Sequence, residues 1–578
     1  MTVARPAFSV QEIPFSHHGS WFGISPVIAE KTFAEDLHLV SHQTGMYPVL
    51  RFTPTSAGER ADTVVAATPG LLTWTHDAGR VELAYDRADT VRVRGRGLGL
   101  RVIAANPLLT PFSGPYFYRD PADGAHVFTL YETGRRYRLT VLAGRAETVG
   151  VQALGSAERG MLLPDDAPWE IAIEEFDSAR PPYASSGTFE EIADAAQARF
   201  AAFADAVAPW RTPETPAAEL AAYVLWSATV APNGFLARPA VLMSKHWMDK
   251  VWSWDHCFNA LALAGGLPEL AWDQFQVPFD HQAESGCLPD SVTHSEILYN
   301  FVKPPIHGWA LRRLRERLPD GVAPDELPDV YRRLARWTEF WLTARRAPGH
   351  PLPHYQHGND SGWDNATTFD PDHVIETADL AGFLVLQLRE LAGLARELRL
   401  EDEAAGWSKA ADEVCAALLE ELWTGEEFVA RAVESGRTWT SAGLLDLMPI
   451  VLGDILPPEV RETLADRIRA HLTPYGPATE LVTSEHYQAD GYWRGPVWAP
   501  STVLIEDGLR RGGFDELADE VSDRFRALCE KSGFAENFDA LTGAGLRDRA
   551  YTWTASAYLL FAEAYERRRT ALAEAIPG

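Results

Sequence analysis

The stretch that decides the fold is VIETADLAGFLVLQLRELAGLARELR (374–399), followed at once by EDEAAGWSKAADEVCAALLEELW (401–423). Apolar residues recur in both segments every three to four positions, which predicts two amphipathic helices. The same period continues from about residue 215 onward and predicts roughly a dozen helices. Further segments with this pattern are 217–231, 330–346, 458–472, 498–512, 514–532 and 552–574.

No short repeat of the solenoid type accompanies these helices. A dozen helices without a repeat must close on each other to bury their apolar faces. A closed toroid of six helix pairs satisfies this requirement. On pattern alone, an irregular helical bundle satisfies it equally well.

The N-terminal third of the chain has a different pattern. Apolar and polar residues alternate in 64–105 and 126–144, with turn residues between them, and EIAIEEF (170–176) is a further short strand. Short strands with frequent turns predict an antiparallel β-sandwich.

The change of pattern near residue 187 sets the predicted domain boundaries. TFEEIADAAQARFAAFADAV (188–207) has helical periodicity, with Thr188 as N-cap and Glu191 at the capping-box spacing. We therefore predict a β-sandwich over 1–185, a helical linker over 186–214 and a helical catalytic barrel over 215–578.

The composition narrows the class of ligand and the compartment. The formal charge is −29, from 81 acidic and 52 basic side chains, which disfavours nucleic acid and anionic membranes as partners. The N-terminus MTVARPAFSVQEIPF has no signal-peptide pattern, no apolar stretch is long enough to span a membrane, and the four cysteines show no CxxC spacing. These features predict a cytoplasmic protein without disulfides. The chain contains 19 Trp residues, which could stack on sugar rings or could simply fill a large hydrophobic core.

Four connections between the predicted helices differ from ordinary turns. Each mixes aromatic residues, carboxylates and glycine, whereas a simple connector needs only polar turn residues. Loops with such side chains at one end of a scaffold are the usual place for a site. They are 245–266, 354–372, 490–500 and 533–554.

In the second connection, HYQHGNDSGWDNATTFDPD, Gly358 and Gly362 permit sharp turns that would project Asp360, Trp363 and Asp364 towards one point. The neighbouring Trp could desolvate Asp364 and raise its pKa, as a catalytic acid requires. The alternative is a helix cap or an Asx turn.

In the fourth connection, Glu536 stands between Phe534 and Phe538. A carboxylate between aromatics is costly unless it is paired or functional. The alternative is a salt bridge to Arg547 or Arg549. Glycoside hydrolysis needs two carboxyl groups across one bond, roughly 6.5–9.5 Å apart in the inverting mechanism.

The first and third connections supply candidate ligand contacts. Asp255, at the mouth of an apolar helix, could accept hydrogen bonds from vicinal sugar hydroxyls, or it could be an N-cap. The third connection could also be core packing with a surface Arg. The candidates are Trp252, Trp254, Asp255, Tyr492, Trp493, Arg494 and Trp498.

Taken in order, the motifs WSWDHCF (252–258), SGWDNA (361–366), YWRGPVW (492–498) and AENFDALTG (535–543) resemble glycoside hydrolase family 63. The pattern is most similar to its bacterial mannosylglycerate/glucosylglycerate hydrolase-like members, and trehalases have related segments. The resemblance covers about residues 215–575. It implies an (α/α)6 barrel preceded by a β-sandwich.

The resemblance also implies roles for individual residues. Asp364 matches the general acid and Glu536 the general base, while Gly362 matches the turn that presents the acid. Trp254 and Asp255 match positions that bind the sugar in the −1 subsite. The predicted substrate-binding set is Trp252, Trp254, Asp255, Gln282, Asp360, Gly362, Trp363, Tyr492, Trp493, Arg494, Trp498 and Trp553, with Pro289 as a weaker candidate.

Two positions depart from the family pattern. Asp360 stands where the family often has Glu, and Asn359 replaces an aromatic residue that often precedes the acid. Both departures concern the aglycone side, so glucosylglycerate or mannosylglycerate as substrate does not follow from the motifs.

The resulting hypothesis is an inverting, exo-acting α-glycosidase that hydrolyses a small α-glucoside or α-mannoside. The alternatives are a glycoside phosphorylase, a non-catalytic carbohydrate-binding protein, and an epimerase that uses histidines as acid and base. We predict a small carbohydrate as partner, and no cofactor, metal, nucleic acid or membrane. The oligomeric state stays open. The candidate histidines are His256, His354, His357 and His373, of which HYQH also has a metal-like spacing.

Overall fold

The computed structural model describes residues 6–575, and the chain divides into two compact units. The first contains the described residues up to Ala206 together with Ala222–Lys250 and Thr293–Ser295. The second contains Val207–Ala221, Val251–Val292 and the residues from Glu296 onward. The boundaries predicted at 185 and 214 stay predictions.

The first unit is built mainly from antiparallel strands. These are β1 Phe22–Ala29, β2 Thr32–Ser41, β3 Tyr47–Ser56, β4 Glu59–Arg60, β5 Val64–Thr68, β6 Leu71–His76, β7 Gly79–Arg87, β8 Thr90–Arg96, β9 Gly99–Ala104, β10 Leu108–Leu109, β11 Pro115–Arg119, β12 His126–Leu130, β13 Arg136–Ala143, β14 Glu147–Val149, β15 Gly155–Ser156, β16 Gly160–Leu163 and β17 Trp169–Phe176.

Two large sheets account for most of these strands. One has the order β1-β2-β3-β9-β16-β14, with β4 paired to β3, and the other has the order β11-β12-β13-β17-β8-β7-β6-β5. Leu39 and Phe52 of the first sheet and Val93 and Ile171 of the second are fully buried in one shared hydrophobic core. The predicted antiparallel β region at the N-terminus is therefore confirmed.

The helix that follows the sheets begins with the predicted capping box. The Thr188 hydroxyl accepts a hydrogen bond from the Glu191 amide at 3.3 Å, and the Glu191 carboxylate accepts one from the Thr188 amide at 2.8 Å. These two bonds satisfy amide groups that have no partner within the helix.

The rest of the chain is largely helical, as predicted. The α-helices are α1 Phe189–Val207, α2 Ala218–Ala228, α3 Asp255–Leu263, α4 Pro268–Gln276, α5 His307–Arg317, α6 Leu327–Thr343, α7 Ala378–Glu397, α8 Glu401–Ala417, α9 Pro458–His471, α10 Ala499–Arg511, α11 Asp515–Ser532 and α12 Thr552–Ala575.

Six elements of the second unit pack in a closed order. α3 contacts α5, α5 contacts α7, and α7 contacts the three-ten segment Leu444–Ile455. That segment contacts α10, α10 contacts α12, and α12 returns to α3. The helices α4, α6, α8, α9 and α11 each pack against members of this ring. The ring gives each apolar face a partner without a sequence repeat.

Two segments differ from the helices expected from periodicity. The helix expected from residue 374 begins at 378, because Ile375–Glu376 pairs with Ala430–Ala432 as a short strand. The ring member Leu444–Ile455 was not predicted. It contains Pro449, and it bends at Gly453 (φ 56°, ψ −124°), so it has no continuous α-helical period.

Candidate active site

Aromatic residues at the starts of three ring helices meet at the candidate site. Trp254 precedes the first residue of α3, Trp498 precedes that of α10, and Trp553 is the second residue of α12. The Trp553 ring lies 5.9 Å from the ring of Trp254 and 5.6 Å from that of Trp498, both edge-on. The three helix starts therefore converge.

Gly362 sets the turn that carries the predicted acid. Its φ of 75° is in the left-handed region, which glycine adopts without steric cost. A Cβ at this position would lie 2.6 Å from Cζ2 of Trp254. Both the backbone angle and the contact with the Trp254 ring therefore require glycine two residues before Asp364.

The Asp360 carboxylate has three partners within the protein. Its carboxylate is 2.6 Å from the Arg345 guanidinium and accepts hydrogen bonds from the amides of Val302 (3.0 Å) and Gln356 (2.9 Å). These contacts indicate that Asp360 fixes the acid loop. Its predicted contact with substrate stays a prediction, and it would compete with these three partners.

Asp364 lies at the surface of the site, with its side chain 25% exposed. Lys303 approaches it at 3.9 Å and also lies 3.3 Å from Asp290. Burial raises the pKa of the Asp364 carboxyl, while the Lys303 charge and a hydrogen bond from the Tyr492 hydroxyl oppose the rise. A raised pKa is what a proton donor near neutral pH needs.

Glu536 is buried, and its carboxylate has no ion pair among residues 6–575. Arg547, one of the two partners considered from sequence, pairs instead with Asp490 and donates to Asn537 at 3.3 Å. Burial raises the pKa of Glu536 to about 8, and the Asp548 charge adds to the rise. No cationic side chain therefore occupies the Glu536 carboxyl, and a ligand can contact it.

Asp255 is the first residue of α3, not its N-cap, and it is buried. Its Oδ2 has no hydrogen-bond partner among the described residues. Burial raises the pKa of Asp255 to about 8, against the attraction of Lys303. An unpartnered buried carboxyl oxygen is costly, and a ligand hydroxyl would satisfy it.

Stacked indole rings form one wall. Trp493 and Trp498 stack at 4.0 Å with only 5° between their planes, and Trp363 lies 4.7 Å from Trp493. Tyr492 meets the edge of Trp498 at 5.0 Å. All three Trp rings are nearly fully buried, so they mainly shape and rigidify the site.

Electrostatic coupling links the two predicted catalytic carboxyls. The Asp364 charge raises the pKa of Glu536, and both charges raise the pKa of Tyr492. The charges of Glu536 and Asp255 likewise raise the pKa of Tyr551. Residues 172 positions apart in the sequence therefore belong to one cluster.

Other predicted residues have structural contacts. Arg494 donates to the Asn365 carbonyl at 2.7 Å and pairs with Asp370, which ties YWRGPVW to the acid loop. Gln282 donates to the carbonyls of Gly286 and Arg333, both at 2.9 Å. The Trp252 carbonyl accepts from His256 at 3.1 Å. Contact of these side chains with substrate stays a prediction.

The sequence reasoning missed Lys303, Asp290, Asp548 and Tyr551. Lys303 lies in FVKPP, which has none of the mixed aromatic and acidic character used to select loops. Asp290 lies in the loop of the weak candidate Pro289, and Asp548 and Tyr551 lie inside the fourth connection. A lysine directly before two prolines was the one signal in the sequence.

The remaining candidates concern metals and membranes. Among residues 6–575, no group of three or more His, Cys, Asp or Glu side chains is arranged to hold a metal ion. In the described part of the chain, no helix combines the length and apolar character needed to cross a bilayer.

Comparison with known proteins identifies the class of protein. A family model described as "Mannosylglycerate hydrolase MGH1-like glycoside hydrolase domain" matches residues 248–554. This match covers more than half of the chain and all four motifs. The protein is a glycoside hydrolase.

More narrowly, the chain belongs to the family of mannosylglycerate hydrolase MGH1-like glycoside hydrolases. Mannosylglycerate hydrolase of Rubrobacter radiotolerans is 22% identical over 420 residues, which is 57% of this chain and 93% of that protein. The resemblance to family 63 seen in the motifs is thereby confirmed.

Two solved structures are similar in fold. The family 63 mannosylglycerate hydrolase from Thermus thermophilus, in complex with glucose, matches with a TM-score of 0.53 and 20% identity, over 61% of this chain and all of that one. A bacterial glucoamylase complexed with acarbose matches with a TM-score of 0.61 and 11% identity, over 98% of this chain and 96% of that one.

Proposed function

We propose that this protein is an inverting, exo-acting α-glycosidase that hydrolyses a small α-glucoside or α-mannoside. In this proposal Asp364 protonates the glycosidic oxygen and Glu536 removes a proton from the attacking water. The observation that carries it is one cluster in which the proposed acid Asp364 has a raised pKa and shares the neighbour Tyr492 with Glu536, while Glu536 is free of any ion pair within the described chain.

The proposal assigns the rest of the site by its chemistry. Asp255, with its unpartnered oxygen, would accept hydrogen bonds from sugar hydroxyls. The aromatic residues Trp254, Tyr492 and Trp553 would give the sugar ring an apolar boundary. The closed ring of six elements supports an (α/α)6 barrel as the scaffold, and the two sheets over one core support an N-terminal β-sandwich.

The substrate is proposed only by class. The Rubrobacter relative is named for mannosylglycerate, and the glucoamylase structure holds acarbose, so α-linked sugars are the class to test. Asn359 and Asp360 depart from the family motif, and Asp360 is committed to Arg345. We therefore leave the aglycone open between glycerate, another sugar and an oligosaccharide.

The first experiment is a screen of α-linked disaccharides and glycosylglycerates for released monosaccharide, in buffer without phosphate. For a substrate that is cleaved, proton NMR follows the anomer formed first. Initial β-sugar from an α-linked substrate supports inversion, and initial α-sugar rejects it. Turnover that requires phosphate would favour the phosphorylase alternative, in which Glu536 is unnecessary.

The second experiment replaces each catalytic carboxyl by its amide. We expect Asp364→Asn and Glu536→Gln each to reduce kcat by several orders of magnitude, because the two groups act as one unit. Glu485→Gln, whose side chain is 90% exposed, is the matched control and should be as active as the unaltered protein. Near-normal activity of either amide variant would remove that residue from its role.

A further inference from the structure

A cavity lies in the helical unit, away from the carboxylate cluster. It has a volume of about 400 Å³, within the roughly 300–1,000 Å³ range of small-ligand sites. One side is lined by Arg511, the last residue of α10, whereas Trp498 precedes the first residue of that helix. At 1.5 Å per residue these positions are roughly 20 Å apart, so the two sites are distinct.

The lining of this cavity is unusually basic for so acidic a chain. Four guanidinium groups and two carboxylates line it, although the chain as a whole carries a charge of −29. Apolar contacts come from Trp309, Leu386 and Ile455. The charged lining residues are Arg312, Arg313, Arg389, Arg511, Glu390 and Asp454.

Two of the arginines have only weak protein partners. Arg312 lies 3.5 Å from Glu316, and Arg389 lies 3.7 Å from Asp412, with all four side chains well exposed. Both distances exceed a good charged hydrogen bond, and exposed pairs of this kind contribute little. These two guanidinium groups can therefore exchange their present partners for a ligand.

Three of the remaining four charges, those of Arg511, Arg313 and Glu390, are already engaged, whereas Asp454 has no ion pair among the described residues. Arg511 pairs with Asp507 at 2.9 Å, and Arg313 pairs with Glu316 and Asp507. Glu390 pairs with Arg315 at 3.3 Å. These contacts order the wall of the cavity and leave Arg312 and Arg389 as the adjustable part.

Helix-end electrostatics account for only part of the cluster. Arg511 at the end of α10 is favoured by the helix dipole. Arg312 lies in the middle of α5 and Arg389 in the middle of α7, where the dipole gives no such preference. Their convergence on one cavity needs another reason.

We propose that this cavity binds a small phosphate group, held by Arg312 and Arg389. The planar guanidinium fork matches the oxygen geometry of phosphate and binds it bidentately. The ligand is either inorganic phosphate or the phosphate of a small ester such as a sugar phosphate, for which the volume is sufficient. The proposal does not depend on the catalytic assignment.

The test is isothermal titration calorimetry of the full-length protein in chloride buffer. Inorganic phosphate, glucose 6-phosphate and glucose are titrated separately. We expect saturable binding of a phosphate-bearing ligand, weakened about tenfold or more in the Arg312→Gln/Arg389→Gln variant by the loss of charge-assisted bonds. Tighter binding of glucose 6-phosphate than of phosphate identifies an ester, and equal or weaker binding identifies free phosphate.

The control removes the same charge elsewhere in the same unit. Arg461 and Arg469 on α9 have no ion pair among the described residues, so Arg461→Gln/Arg469→Gln should bind like the unaltered protein. Equal weakening in both double variants, no saturable binding, or equal affinity for glucose and its phosphate would overturn the proposal. If the cavity variant is unstable, Arg389→Gln alone provides the same comparison with Arg469→Gln.

Discussion

Replacing Gly362 with alanine tests whether the acid loop is set by one backbone position. A non-glycine residue in the left-handed region costs about 1–2 kcal/mol. The new Cβ would lie 2.6 Å from Cζ2 and 2.8 Å from Cε2 of Trp254, and such overpacking costs about 1–3 kcal/mol more. Trp254 is buried and also touches Phe258 and Trp553, so it cannot move away freely.

The consequence for activity follows from the position of Asp364. If the loop shifts by about 1 Å to relieve the overlap, the proton donor is misplaced and the rate falls about 10²-fold. We expect Gly362→Ala to lower kcat/KM by that order and to lower the thermal midpoint by several degrees. Steady-state kinetics on a substrate cleaved by the unaltered enzyme and thermal unfolding measure the two effects.

Gly436 provides the matched control for this substitution. Its φ is 67°, but no atom lies within 4 Å of a Cβ built there. Gly436→Ala should therefore show the backbone cost in its thermal midpoint and keep full activity. If Gly362→Ala is as active as Gly436→Ala, the contact with Trp254 does not position the acid and the reasoning fails.

Three further predictions concern charge in the site. Lys303→Met should reduce kcat/KM and move the alkaline limb of the pH profile, which Asp364 sets, to higher pH. The reason is that the Lys303 charge lowers the pKa of Asp364. Lys303→Arg keeps this charge and should leave the limb in place. The ascending limb, set by Glu536 with a pKa of about 8, should move to lower pH in Asp548→Asn, because the Asp548 charge raises that pKa; an unmoved limb would contradict this. For Asp255, burial raises the pKa from 3.8 to about 8 in the folded state. Between these two pH values the native state therefore holds a proton that the unfolded state has lost. The free energy of unfolding consequently falls as the pH rises from about 4 to about 8. Asp255→Asn should therefore raise the thermal midpoint at pH 9 more than at pH 4 while reducing activity, and an equal change at both pH values would argue against it.

Periodicity was sufficient to predict the fold class but not all of its elements. Long amphipathic runs such as α7 and α11 were found within a few residues of their ends, because most of their length is decided locally. The segment 444–455 was missed because Pro449 and Gly453 interrupt any single helical period. Its place in the ring comes from packing against α7 and α10, which no local pattern records.

The site was predictable where chemistry is concentrated in one motif. Asp364 and Glu536 lie in loops rich in Trp, Phe and Gly, and such loops stand out from ordinary connectors. Lys303 was not predicted, because its importance comes from three carboxylates brought around it from other segments. Asp360 has the same local signature as Asp364, and its contacts with Arg345 and with the amides of Val302 and Gln356 distinguish the two.

The same distinction separates other buried acids from the two carboxyls of the site. Buried Glu376 pairs with Arg431, and buried Glu480 accepts hydrogen bonds from Thr367 and Ser484, so these carboxylates repay their desolvation within the protein. Among the described residues Glu536 has no ion pair, and one oxygen of Asp255 has no hydrogen-bond partner. A stable fold has no use for unpaired buried carboxyls, so their retention next to Asp364 is best explained by a ligand that completes them.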